Sequence, residues 1–266
     1  MVEKEKTQQS EEPMENVMEE IKSSEKEEEL EGTPAKLSLE EKKKAQEEKT
    51  RQDILDNWAP KTELGKRVMV GKESHIDEIL ASGKRILESQ IVDKLLRLES
   101  DLLLVGQSKG KFGGGKRRAW RQTQKKTMEG NRITFSAVAV VGDKKGHVGV
   151  GYGKAKETLP AREKALREAK LNIVKITRGF ETQEPDSSDP HTVPFQVEGK
   201  CGSVRIKLLP APRRTGLVVG DEVKKVLRLA GIKDVYSSAT GQTRTTLNLA
   251  LACIDALKKT NKEMIK

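Results

Sequence analysis

The 266-residue sequence predicts an α+β protein of two mixed modules behind a polar tail. Three observations carry that expectation. Stretches that alternate with period two, such as Val204, Ile206 and Leu208, are interleaved with stretches of helical period, such as Val223, Val226, Leu227 and Ala230. A polar segment with two prolines, Gly179 to Pro190, divides these elements into an earlier and a later set. The charge is also uneven: residues 1–50 hold 9 Lys against 16 Asp and Glu, a net of −7, whereas residues 51–266 hold 42 basic and 25 acidic residues, a net of +17.

Residues 1–50 are poor in apolar groups and are expected to be a disordered acidic tail, with a transient helical turn where Glu40 and Lys44 stand four apart. The first thirty residues are acidic and lack an apolar centre, so no secretory or mitochondrial leader is expected, and no apolar run approaches the ~18 residues of a membrane span. Cys201 and Cys253 fit a reducing compartment. The cytoplasm is the expected location, with no membrane partner.

Residues 51–90 read as an extended arm with one short helix. Ile54, Leu55, Trp58, Leu64, Val68 and Val70 are its anchors, and Ser74 is placed to cap a helix running to Ala81, with Asp77 three residues on. Residues 91–180 form the first module. Ile91 to Leu98 suits a short helix, and Leu102 to Val105 a strand ending at Gly106.

A basic loop is expected over 107–132. It holds nine Lys or Arg against one acid, Glu129, and no Leu, Ile or Val. So apolar-poor a segment cannot offset a backbone ordering cost of about 1–2 kcal/mol per residue, so it should stay mobile until a polyanion orders it. Gly110 and Gly113 to Gly115 admit close approach, while Phe112 and Trp120 offer faces for stacking on bases or sugars. Charge, glycine and interleaved aromatics together point to RNA.

After the loop, Ile133 to Val141 and His147 to Gly153 form a hairpin about the turn Gly142–Gly146. Gly149, Gly151 and Gly153 make a stripe on one face of the return strand. Such a stripe costs strand stability, and its usual compensation is close approach of a packed helix or of an RNA backbone. The following helix, capped by Thr158 with Pro160 in its first turn, repeats Ala161, Ala165 and Ala169 every four residues and suits that packing. Lys154, Lys156 and Arg162 cluster at its amino end, where free N–H groups favour a phosphate.

The second module covers 191–260. Val193, Phe195 and Val197 alternate as an edge strand marked by Pro194, and Val204 to Leu208 returns after a turn at Gly199–Gly202. A turn from Pro210 to Gly216 carries Arg213 and Arg214. Then come a helix over Asp221–Ala230 stopped by Gly231, a strand over Asp234–Ser238, and a helix over Thr245–Lys258 with Leu247, Leu251, Ile254 and Leu257 inward and Cys253 in the core.

Catalytic patterns fail on spacing. The run Gly149 to Lys154 lacks the first glycine of a phosphate-binding loop, since Val148 stands there, and Ala155 follows the lysine. His75, His147 and His191 are scattered, no Gly-x-Ser-x-Gly elbow is present, and His147 reads as a surface turn residue. No enzyme, cofactor or metal site is expected.

The run Gly106 to Gln122, with Phe135 to Asp143, Val148 to Lys154 and Gly199 to Val204, closely resembles the universal small-subunit ribosomal proteins of the S-five family. The Phe112 loop and the run Gly241 to Thr245 are similar to the archaeal and eukaryotic branch, whose eukaryotic member is called S-two. The resemblance implies a double-stranded-RNA-binding-like amino domain followed by a second α+β sandwich domain whose fold is shared with small-molecule kinases. A kinase reading would rest on that likeness of fold alone.

The family's function implies a structural protein that binds ribosomal RNA where body meets head. It would touch proteins of the S-four and S-eight families, line the channel where messenger RNA enters, and support decoding accuracy, with no homo-oligomer. Carried onto this sequence, the phosphate contacts fall on Lys109, Lys111, Arg117, Arg118, Arg121, Lys125, Lys126, Lys154 and Lys156. Phe112, Lys116, Trp120, Arg213 and Arg214 complete the candidate RNA-binding set. Relatives often have Gly at the position of Arg214, and some carry a cysteine cluster in the domain linker; none lies between Glu181 and Pro190, so no zinc is expected. The alternative is a free-standing double-stranded-RNA-binding module outside the ribosome.

Overall fold

A glycine strand and an alanine helix set the geometry of the first module. The computed structural model describes residue 52 and residues 55–107, 117–180 and 189–263; the expected tail lies outside them. Within the described residues the elements run α1 (Glu63–Val70), α2 (Ile76–Ala81), α3 (Ser89–Leu95), β1 (Glu99–Leu102), β2 (Trp120–Thr127), β3 (Gly130–Gly142), β4 (His147–Ala155), α4 (Thr158–Leu171) and β5 (Ile173–Lys175). They continue with β6 (Val197–Cys201), β7 (Val204–Pro210), β8 (Leu217–Val218), α5 (Asp221–Ala230), β9 (Val235–Thr240) and α6 (Thr246–Glu263).

The first sheet is antiparallel, in the order β1-β3-β4-β5, with β2 also pairing β3. Alternate residues of β3 serve two different layers. Ala137 and Ala139 pack toward α4, whereas Val138 and Val140 join a core that also holds Val204, Ile206, Val223 and Leu227 of the second module. A side chain added at Gly149, Gly151 or Gly153 would collide with the backbone of Ala169, Ala165 or Ala161. The compensation for the glycine stripe is therefore the helix, whose three alanines are fully buried. Thr158 is the first residue of α4 rather than its cap, a position held by Glu157.

The second sheet has the order β6-β7-β9-β8, with β8 and β9 parallel and the other pairs antiparallel. Helix α5 lies between the two modules, and Lys144 N–H donates to the Leu229 carbonyl at 2.9 Å across that join. Helix α6 covers β6 and β7 with Leu249, Ala252, Cys253, Ala256 and Leu257 inward. Burial pushes the Cys253 thiol up to about 12. Leu251, expected inward, faces solvent, because the alanines between the larger residues broaden the buried face and rotate it away.

The expected basic loop is half strand. Trp120 to Thr127 pairs residue for residue with Ala137 to Gly130, so β2 and β3 form a two-stranded ribbon. Beyond the end of β4, the far half of β3 has β2 as its sole strand neighbour among the described residues. Backbone bonding holds it without a core, helped by a 2.8 Å hydroxyl contact between Thr123 and Thr134 and a Thr127 hydroxyl donating to the Gly130 carbonyl at 2.8 Å. An apolar count cannot detect a strand with both faces open to solvent.

The arm differs as well. Residues expected to be extended form α1, started by the Thr62 hydroxyl accepting from Gly65 N–H and stopped by Gly71 at φ 81°. Glu88 organises the approach: its carboxylate accepts from Trp58 Nε1 at 2.8 Å and from the N–H groups of Lys61 and Thr62 at 2.9 and 2.6 Å. Partial burial works against that charge, but these bonds outweigh it and hold the carboxyl below the usual range. Helix α2 begins at Ile76 with no side-chain cap, and Asp77 is engaged elsewhere. In the second module the edge strand begins at Val197, later than expected.

Candidate nucleic-acid interface

Strand alternation sorts the cations of the ribbon by face. Residues paired across strands project to the same side, so the pair Arg121–Ser136 continues through Ser136–Lys154 into one row across β2, β3 and β4. Further along the ribbon, Thr123 pairs with Thr134 and Lys125 with Arg132 on that same side. Arg121, Lys125, Arg132 and Lys154 thus form a cationic face, and all four are exposed.

The surroundings leave these charges largely unneutralised. Several cations elsewhere on the body are paired: Lys170 with Asp93 at 2.7 Å, Lys175 with Asp77 at 2.7 Å, Lys144 with Glu99 at 2.6 Å and Lys225 with Asp101 at 3.5 Å. On the ribbon face, among the described residues, only Arg132 has an acidic partner, Glu129, at 3.3 Å and on the open tip. Among the described residues Arg117, Arg118, Arg121, Lys125, Lys126, Lys154 and Lys156 have no ion pair. Unpaired cations ranked on one face are what a phosphate backbone neutralises.

The foot of the ribbon is fixed by an exchange of backbone hydrogen bonds: Gly106 N–H donates to the Arg118 carbonyl at 2.8 Å and Arg118 N–H to the Gly106 carbonyl at 3.2 Å. Gly106 is required there, because a Cβ would collide with the Trp120 carbonyl. Beside this foot opens a cleft of about 790 Å³ between the first sheet and the Gln242–Asn248 segment of the second module. Arg118, Arg121 and Arg244 line it, along with Tyr152, Gln242 and Asn248. Tyr152 pairs with Val138 on the row next to Lys154, and the residue is 40% exposed.

The sequence-derived candidates separate into four groups. Arg117, Arg118, Arg121, Lys125, Lys126, Lys154 and Lys156 are brought to the ribbon and its foot. Trp120 is exposed but alternates to the opposite face from Arg121, on the row of Ala137. Arg213 and Arg214 lie at the other end of β7 from the cleft, in a turn where Arg214 takes φ 69° and Gly216 N–H donates to Asp234 at 2.7 Å. Lys109, Lys111, Phe112 and Lys116 lie outside the described residues.

Sequence reasoning missed Tyr152, Arg132 and Arg244 as site residues. Tyr152 and Arg132 were within reach of a period-two assignment extended through the hairpin, whereas Arg244 is over 120 residues from Arg121 and only the fold unites them. His147, expected at the surface, is mostly buried between two carboxylates. Among the described residues no cluster of His, Cys, Asp or Glu is arranged to hold a metal.

Residues 119–177 match the family profile described as ribosomal protein S5, N-terminal domain, and residues 199–263 the profile described as ribosomal protein S5, C-terminal domain. The chain is similar to the small ribosomal subunit protein uS5 of Nanoarchaeum equitans, with 50% identity over 206 residues, covering 77% of this chain and 88% of the relative. It is 48% identical over 207 residues to the uS5 protein of Pyrobaculum aerophilum, with 77% and 88% covered, and 45% identical over 208 residues to that of Methanocaldococcus jannaschii, with 78% and 89% covered.

Proposed function

The chain belongs to the ribosomal protein S5 family, and on that premise we propose that it is a structural, non-enzymatic component of the cytoplasmic small ribosomal subunit, bound to ribosomal RNA through the β2–β3 ribbon. The observation that carries this reading is the set of unpaired cations, Arg121, Lys125 and Lys154, on one face of the ribbon and the strand β4 beside it. Phosphates neutralise that set and release counterions, which gives affinity without demanding a particular base sequence. Arg117, Arg118 and Lys156 extend the contact, as do Lys109, Lys111 and Lys116 in the adjoining segment with Phe112 as a stacking face, while Lys126 and Trp120 serve RNA on the opposite face of the ribbon. Arg213 and Arg214 engage RNA separately, at the far end of the second sheet.

In this reading the protein stands where the body of the subunit meets the head, beside proteins of the S-four and S-eight families. It lines the channel where messenger RNA enters and supports accurate decoding. The division into an RNA-binding-like module over 91–180 and a second module over 191–260 suits a protein that ties two RNA regions together.

Sedimentation of a cell lysate tests the proposal. The chain is expected with the small subunit at equal stoichiometry to its RNA. Recovery mainly in the light fractions, with double-stranded RNA bound there, would point instead to a free-standing RNA-binding module.

A further inference from the structure

We propose that the cleft between β4 and the Gln242–Asn248 segment receives an unpaired stretch of RNA, with a base stacked on Tyr152 and its phosphates held by Arg118, Arg121 and Arg244. This inference rests on the RNA-binding reading above and deepens it by naming the form of RNA taken at this place.

Three features fit the cleft to such an occupant. Its volume, about 790 Å³, is in the range that encloses a small ligand, so a nucleotide or two fits where a duplex does not. Its described lining holds three arginines and no Asp or Glu. Arg118, Arg121 and Arg244 are exposed and have no ion pair among the described residues, so their charge is available to a phosphate.

The chemistry of the walls then favours a base over a bare backbone. Tyr152 presents an aromatic face, and every base has a π-face to lay against one. Gln242 and Asn248 add side-chain amides, whose paired donor and acceptor groups match the hydrogen-bonding edge of an unpaired base. In a helix those edges are already used, so the cleft discriminates against duplex by what it asks of the base.

The test uses the full chain, a 12-nucleotide single-stranded RNA and a blunt duplex of the same sequence. Fluorescence anisotropy is read for the wild type, Tyr152→Leu and Arg244→Gln, both changes being at exposed positions. Loss of roughly tenfold in single-strand affinity for each variant, with duplex affinity held within about twofold, is the expected result. Wild-type affinity of both variants for the single strand, or equal losses on both RNAs, would overturn the cleft assignment while leaving the ribbon interface standing. Failure of the wild type to bind either RNA would overturn both.

Discussion

His147 Nε2 lies 2.8 Å from Asp77 Oδ1, joining the turn of the β3–β4 hairpin to helix α2 of the arm. The other ring nitrogen, Nδ1, is 2.6 Å from Asp143, and Lys175 reaches the second oxygen of Asp77 at 2.7 Å. A ring with a carboxylate on each nitrogen is best served by two N–H protons. Burial opposes the charge on His147, but the hydrogen bonds its ring donates to Asp143 and Asp77 outweigh it and raise its pKa above the ordinary range. Burial likewise opposes ionisation of Asp77, yet the bonds from Lys175 and His147 lower its carboxyl, and Asp143 is lowered against its own burial chiefly by His147.

The sign of the pH dependence follows. With a folded pKa raised above 6.5, the histidine contributes fully below that value and loses its contribution as pH rises through the folded pKa. The two aspartates, lowered from 3.8, contribute fully above that value and lose it as pH falls through their folded pKa. The bridge therefore stabilises most between about pH 4 and 6.5. His147→Asn should cost about 1.5–3 kcal/mol in that window and less at pH 9, measured by urea unfolding. A cost independent of pH would remove the ionic account.

Gly151 touches the backbone of Ala169 and Ala165, so Gly151→Val forces α4 off the sheet. A loss of about 3 kcal/mol or more is expected in chemical denaturation. A loss below about 1 kcal/mol would mean that the helix does not seat on the stripe in solution.

Arg214 occupies the left-handed region at φ 69°, which costs a non-glycine residue roughly 1–2 kcal/mol. Arg214→Gly should leave the melting temperature unchanged or higher. Arg214→Val, with a branched side chain, should lower it. The reverse order would contradict the backbone geometry of that turn.

Cys253 is fully buried, with its thiol up to about 12, whereas Cys201 is partly exposed. Iodoacetamide at pH 8 should modify Cys201 first and reach Cys253 only on unfolding, as read by mass spectrometry. Equal rates in the native protein would contradict the packing of α6.

The parts of this fold that were legible beforehand are those with a period and a buried face. The alternation of valines in β3 and β4, the glycine stripe and the four-residue alanine repeat each report a packing partner, so strand, helix and their contact were readable together. Strand β2 was not, because its side chains are polar on both faces and its order comes from backbone pairing with β3. Helix α1 was hidden for a similar reason: eight residues with few anchors, fixed by Thr62 and by Gly71. The bridge at His147 spans 70 residues, and the cleft unites segments more than 100 apart, so neither leaves a local trace. The cationic character of 107–132 was plain, yet which cations share a face required the register of the ribbon.

The most direct measurement is the salt dependence of binding between the full chain and small-subunit ribosomal RNA, compared with the triple variant Arg121→Ala, Lys125→Ala, Lys154→Ala. If the row across β2, β3 and β4 holds phosphates, the log–log slope becomes shallower by about 2–3, close to 0.7–0.9 for each lost contact. A slope equal to that of the wild type, in a variant with an unchanged melting curve, would contradict the assignment of the ribbon as the RNA interface.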